Sequence, residues 1–173
     1  MFPCFHINTQ TVKFMTIKVG DKMPAGTLSY MGDKGPDGIS TDELFNGKKV
    51  VLFAVPGAFT PTCSESHLPS FIANADKIKA KGVDRIICMS VNDPFVMDAW
   101  GKSQNASELM MAADGSAVYT KALGLELDLI ERGLGVRSQR FSMIVDSGKV
   151  THLNVEEGPA YNVSSAENIL QQL

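Results

Sequence analysis

Two short apolar runs, Val50–Val55 (VVLFAV) and Arg85–Val91 (RIICMSV), flank a stretch whose apolar residues Leu68, Phe71, Ile72, Ala75 and Ile78 recur at helical spacing. Runs of this length, rich in Val and Ile, read as buried strands, and the three- and four-residue intervals between them read as one face of a helix. Strand, helix over 63–80 and strand make a βαβ unit, so the strands are expected to run parallel with a right-handed crossover. Gly82 ends the helix. Downstream, Arg140–Val145 and Lys149–Val155 read as strands joined in a hairpin at Asp146-Ser147-Gly148,. A capping box at Ser164-Ser165-Ala166-Glu167 then opens a C-terminal helix,. A βαβ unit followed by ββα predicts an α/β protein of thioredoxin-like fold, with a central mixed sheet flanked by helices and residues 92–139 inserted between the halves.

The remaining segments fit around that skeleton. Thr27–Met31 reads as an edge strand, 32–38 (GDKGPDG) as a turn, and Ser40-Thr41-Asp42-Glu43 as a capping box opening a short helix that Gly47 stops,. Asn92-Asp93-Pro94 caps a helix over 94–104, followed by a strand at 109–113 and a short helix at 116–123,. A chain of 173 residues fits one domain and buries about two-thirds of its unfolded surface,. We place that domain at residues 15–173 and read residues 1–14, which include Cys4, as a disordered tail without the basic and apolar regions of a secretory signal,. The net charge of −3 disfavours a nucleic-acid backbone as partner, and no run approaches the roughly 18 apolar residues of a membrane span,. Cysteines at 4, 63 and 88 form no disulfide framework, which points to a reducing, cytoplasmic setting,. The three histidines show no metal-ligand spacing,.

The chemistry concentrates where the first strand ends. The run breaks at Pro56-Gly57, a polar turn follows, and Cys63 stands where a helix begins. Unpaired N–H groups and partial positive charge at a helix start stabilise a thiolate over a thiol. Thr60 precedes the sulfur by three residues, close enough to point its hydroxyl at a thiolate or at a bound oxygen. Pro56 closes the strand where its missing N–H is harmless. In open sheets of this kind, sites form beyond the carboxyl ends of parallel strands, and Arg140, starting an antiparallel partner, reaches that same rim. On the residues alone Arg140 reads first as a surface ion-pair partner and second as a catalytic group. His67, four residues after Cys63, reads as a packing or hydrogen-bonding residue rather than the base of a hydrolase. Cys88 lies inside its strand, roughly 10 Å from Cys63 at about 3.3 Å per residue, and reads as a buried small hydrophobe.

The segment PGAFTPTCSESHLPSF (56–71) resembles the active-site segment of peroxiredoxins, closest to the peroxiredoxin-5-like, or type II, branch. The likeness continues through VNDPFVMDAW (91–100), ADGSAVYTKALGLELDL (113–129) and GVRSQRFSMIVD (135–146). It implies a thiol-dependent peroxidase that reduces hydrogen peroxide or alkyl hydroperoxides through a sulfenic acid at Cys63, in antioxidant defence and redox homeostasis. Pro56, Thr60 and Arg140 match the other positions that the family uses. The resemblance implies no metal, flavin or haem. Many animal members place a resolving cysteine near the C-terminal helix, and YNVSSAEN (161–168) has none. The chain therefore looks closer to plant-like members with a cysteine equivalent to Cys88, which implies glutathione or glutaredoxin, ahead of thioredoxin, as the reductant. Members of this branch form homodimers through rim loops, and the matching loops here carry Phe59, Phe95, Val96 and Tyr119. Two other readings stay open on sequence: a non-catalytic redox sensor of the same fold, and a cysteine hydrolase.

Overall fold

The structure, a computed structural model, describes residues 15–173; the expected tail and Cys4 lie outside the described residues. The chain runs β1 (Thr27–Gly32), β2 (Gly35–Ser40), α1 (Thr41–Phe45), β3 (Lys49–Val55), a π-helical turn (Cys63–His67), α2 (Leu68–Ala80) and β4 (Arg85–Ser90). It continues through α3 (Pro94–Ser103), β5 (Met110–Ala113), α4 (Val118–Ala122), β6 (Glu126–Leu129), a 3-10 turn (Ile130–Arg132) and β7 (Gly135–Ser138). The hairpin β8 (Phe141–Asp146) and β9 (Lys149–Val155) and the helix α5 (Ala166–Gln172) close it.

Seven strands form one mixed sheet in the order β2-β1-β5-β4-β3-β8-β9. The βαβ unit stands as expected, with β3 parallel to β4 and Val55 opposite Ser90 at their carboxyl ends. On the other side of β3 runs β8, antiparallel, so Phe141 pairs with Ala54 and Arg140 sits just beyond, at the same rim.

Because successive strand side chains point to opposite faces, β3 feeds two cores. Val51, Phe53 and Val55 pack with Leu68, Phe71, Ala75 and Ile78 of α2, Trp100 of α3 and Ile169 of α5. Val50, Leu52 and Ala54 pack on the opposite face with Leu44 and Phe45 of α1, and with Tyr119 and Leu123. From Val50 to Val55 the β3 side chains are fully buried, and burying each Val, Leu or Phe stabilises the fold by about 1.5–3 kcal/mol,. The ring of Phe53 stacks on Phe71 with centroids 3.9 Å apart, which ties the sheet to α2 directly beneath the Cys63 turn.

Several expectations need correction. The segment 32–38 is no plain turn: Gly35–Ser40 forms a strand, pairing Thr27 with Ser40 through Gly32 with Gly35. That makes β2 the sheet edge and puts β1 inside it, between β2 and β5. Pro and Gly hide this strand from periodicity, yet an edge tolerates both, since one side of its ladder faces away from the sheet. The C-terminal helix is capped by Ser165, whose side chain accepts from the Asn168 N–H, and not by Ser164, which is wholly buried. The stretch 126–138 forms a separate two-stranded hairpin, β6 with β7, that the pattern did not reveal. The capping box at Ser40 with Glu43 is present in both directions.

Candidate active site

Between the carboxyl end of β3 and α2, the chain crosses the rim as a loop held at several points. The Ala58 N–H donates to Asn92 Oδ1 at 3.0 Å, and the Ser90 hydroxyl donates to the same oxygen at 2.7 Å. Arg137 Nη1 donates to the Pro56 carbonyl at 3.3 Å. Gly57 leaves room for that guanidinium, because a Cβ there would sit 2.8 Å from Arg137 Nη1. Phe59 holds a left-handed φ of 63°, a conformation that costs a bulky residue on the order of 1–3 kcal/mol and persists only when its surroundings impose it,. Past the loop, Trp100 Nε1 donates to Ser64 Oγ at 3.0 Å, fixing the residue next to Cys63.

Cys63 opens the π-helical turn, in which the Leu68 N–H donates to the Cys63 carbonyl. Such i→i+5 turns are rare and gather at functional sites. The turn directs Cys63 and His67 toward one guanidinium. Arg140 Nη2 donates to Cys63 Sγ at 3.3 Å and its Nη1 to His67 Nδ1 at 3.0 Å. All three residues are buried, Cys63 to 1% exposure and Arg140 to 6%. Neither ion pair found among the described residues involves Arg140.

The geometry fixes the protonation of His67. Its Nε2 lies 3.0 Å from the Ser164 carbonyl oxygen, which only accepts, so Nε2 carries the proton,. Arg140 only donates, so Nδ1 is the bare acceptor and the ring is neutral,. Burial, seconded by the Arg140 charge, pushes the imidazole down to about 3, against the Ser164 hydrogen bond and the Glu156 charge that pull it up. Phe53, Phe71 and Tyr161 surround the ring at centroid distances of 5.0, 5.6 and 5.2 Å.

A pH dependence of stability follows. Above the ordinary imidazole value of 6.5 neither state holds the extra proton; between 6.5 and about 3 the unfolded chain binds a proton that folded His67 refuses. Stability therefore falls as pH falls through that window, by about 2 kcal/mol from pH 7 to pH 5. Denaturant unfolding at the two pH values is expected to show this loss, and His67→Asn to remove most of it. A profile equally steep in His67→Asn would assign the loss to other groups.

Cys63 and Arg140 are thus brought together as expected, and His67 proves to be a hydrogen-bonding residue. Thr60 differs from expectation: its hydroxyl donates to the Gly57 carbonyl at 2.8 Å and not toward the sulfur. Pro56 holds the start of the loop, its carbonyl taken by Arg137. Cys88 pairs with Phe53 in the middle of β4, fully buried; burial, with Cys63 adding to it, pushes its thiol well above the ordinary range. Tyr119 is not a rim residue: it is 1% exposed, and its hydroxyl donates to the Pro24 carbonyl at 3.2 Å. Sequence reasoning missed Asn92, Trp100, Arg137, Ser164 and Glu156.

A buried cysteine facing a buried arginine at the carboxyl rim of a thioredoxin-like sheet defines a thiol redox site. The Redoxin family matches residues 18–170. Peroxiredoxin-2D of Arabidopsis thaliana is 55% identical over 91% of this chain and 98% of its own length. The chloroplastic peroxiredoxin-2E-2 of Oryza sativa is 51% identical, over 91% of this chain and 73% of its own. Among solved structures, reduced Prx3 of Vibrio vulnificus in complex with hydrogen peroxide superposes with a TM-score of 0.88 at 57% identity, covering 91% of this chain and 99% of that one. The chain belongs to the peroxiredoxin family and is a thiol-dependent peroxidase, and its likeness to peroxiredoxin-2 relatives is consistent with the type II branch.

Proposed function

We propose that Cys63 is the attacking thiolate, that Arg140 steadies both it and the peroxide, and that Pro56 and Thr60 shape the loop that receives the substrate. One observation carries this reading: the Arg140 fork spans Cys63 Sγ and His67 Nδ1 in a buried setting where, among the described residues, no carboxylate pairs with it. Arginine stays charged, and a buried charge needs a counter-charge. A thiolate at Cys63 is the anion in hydrogen-bond contact with it. The sulfur attacks the terminal oxygen of hydrogen peroxide or a small alkyl hydroperoxide; the S–O bond forms, the O–O bond breaks, and water or an alcohol leaves after taking a proton. Guanidinium N–H groups stabilise the charge that shifts to the leaving oxygen. Where it stands the Thr60 hydroxyl can accept from a substrate O–H; to donate to a substrate oxygen it must turn from the Gly57 carbonyl,.

The sulfenic acid at Cys63 then condenses with an external thiol, releasing water, and a second thiol displaces the first as a disulfide. Glutathione or glutaredoxin is the favoured donor over thioredoxin. The depth of Cys88, fully buried in a central strand, and the lack of a cysteine in 161–168 support a cycle without an internal disulfide. After one equivalent of peroxide without reductant, mass spectrometry is expected to find Cys63 as sulfenic or sulfinic acid. A dominant Cys63–Cys88 disulfide would restore an internal cycle. Turnover with glutathione, glutaredoxin and thioredoxin side by side tests the donor, and efficient turnover with thioredoxin alone would reverse the preference.

The same reading includes a homodimer. Phe59 and Phe95 are 56% and 62% exposed on the active-site rim, and exposed apolar patches of this kind mark interfaces,. A two-fold contact would bury the same patch on both subunits and brace the loop carrying Phe59. Sedimentation at micromolar concentration is expected to show a dimer, weakened in Phe95→Asp together with activity. A monomer across that range would rule it out.

A further inference from the structure

One residue outside the catalytic loop bonds the Arg140 backbone directly and is linked to its guanidinium through Ser164 and His67. Glu156 follows β9 and is 6% exposed. Its backbone N–H donates to the Arg140 carbonyl at 2.9 Å, continuing the β8–β9 ladder one pair beyond Phe141 and Val155. Its carboxylate Oε1 accepts from the N–H groups of Asn162, Val163 and Ser164 and from the Ser164 hydroxyl, each at 2.8 Å. Burial pushes the carboxyl up, but these hydrogen bonds outweigh it and hold the group below the ordinary glutamate value. The Ser164 carbonyl, aimed inward by that grip, accepts from His67 Nε2, and His67 Nδ1 accepts from Arg140 Nη1. The hydrogen bonds close a ring, from the Arg140 backbone through Glu156, the 162–164 loop and His67 back to the Arg140 guanidinium.

We infer that Glu156 is a positioning residue for peroxide attack, setting the guanidinium on the Cys63 sulfur through Ser164 and His67. It touches neither sulfur nor substrate. The physical reason is specific to the ring. A guanidinium on a flexible stem has many rotamers, and an acceptor at Nδ1 selects one only if that imidazole is itself fixed. His67 keeps its tautomer and tilt because a carbonyl stands at Nε2, and that carbonyl keeps its place because one buried carboxylate collects the adjacent N–H groups. Loosening the carboxylate frees the carbonyl, then the ring, then the fork. The inference rests on the roles proposed above for Cys63 and Arg140.

The test is single-turnover oxidation of Cys63 by hydrogen peroxide in wild type, Glu156→Ala, Glu156→Gln, Arg140→Ala and the double variant Glu156→Ala/Arg140→Ala, with folding checked by circular dichroism. Glu156→Ala is expected to slow oxidation roughly tenfold, as expected for a misdirected charge-assisted hydrogen bond. Glu156→Gln, which keeps an acceptor on the same frame, should fall between it and wild type. In the Arg140→Ala background, Glu156→Ala should change the rate by less than about threefold, because residues acting as one unit are not additive. A wild-type rate in Glu156→Ala, or the same slowing in both backgrounds, overturns the inference and leaves Glu156 a purely structural residue. Arg140→Ala oxidising at the wild-type rate overturns the underlying reading along with it. A second measurement is independent of the alanine variant. Nitrogen NMR of the wild-type imidazole is expected to show a neutral His67 protonated at Nε2, with that proton exchanging faster in Glu156→Gln. An Nδ1 proton, or unchanged exchange, counts against the ring.

Discussion

Cys63→Ser is expected to leave a folded protein that consumes no peroxide. The substitution keeps a small side chain at a site that is 1% exposed, and the serine hydroxyl can still accept from Arg140 Nη2, so the packing around it survives. What disappears is the proposed nucleophile: an alcohol is far harder to ionise than a thiol and less polarisable, so the S–O bond with which the proposed cycle begins has no counterpart. Cys88→Ser should behave oppositely. A hydroxyl placed at a fully buried strand position without a partner destabilises by about 1–3 kcal/mol, yet the first oxidation at Cys63 should proceed at most of its normal rate,. Peroxide consumption and differential labelling of the two thiols check both. A Cys63→Ser protein consuming peroxide near the wild-type rate would sink the mechanism.

The βαβ core was legible because β3 and β4 are continuous apolar runs and α2 repeats its apolar face, patterns that burial alone produces. Cys63 was legible because proline and glycine break the run just before it. The β2 edge was not, because its stability comes from pairing with β1 while its own composition, Gly35, Pro36 and Gly38, reads as a turn. Tyr119 misled for a related reason: a large aromatic in a turn-rich stretch looks like a rim residue, but Gly26 leaves a slot for its ring, with the glycine's would-be Cβ 2.7 Å from Tyr119 Cδ2. The supports of the site were the least visible. Asn92 and Trp100 reach the loop through hydrogen bonds with Ala58 and Ser64, 34 and 36 positions away, and Glu156 meets Arg140 through a backbone bond across the β8–β9 pair; no local pattern encodes such pairings. His67 showed its spacing from Cys63 but not its partners. The expected antiparallel run of the β8 segment put Arg140 at the rim, but that Cys63 and His67 share its guanidinium is apparent only from the side-chain geometry.

Arg140→Ala is expected to slow oxidation of Cys63 by roughly ten- to several-hundredfold while the sheet remains intact. A charge-assisted hydrogen bond contributes about 1.5–3 kcal/mol, and each 1.4 kcal/mol is about tenfold in rate. The bond to the sulfur is already made before attack, so the range is that of the one further bond that would form to the leaving oxygen as the O–O bond lengthens. The truncation also leaves His67 Nδ1 as a buried acceptor with no donor, so a stability loss of about 1–3 kcal/mol should accompany the rate loss,. Arg140→Lys separates the contributions of charge and geometry. An ammonium restores the positive charge but does not span Cys63 Sγ and His67 Nδ1 as the planar fork does,. It should therefore recover part of the rate and less of the stability. Stopped-flow fluorescence reads the rate directly, because Trp100 is the single tryptophan and its indole donates to Ser64, next to Cys63. An oxidation rate unchanged in Arg140→Ala would reduce the guanidinium to a structural link between β8 and the π-helical turn. A lysine variant as slow as alanine would place the whole effect in the fork and none in the charge.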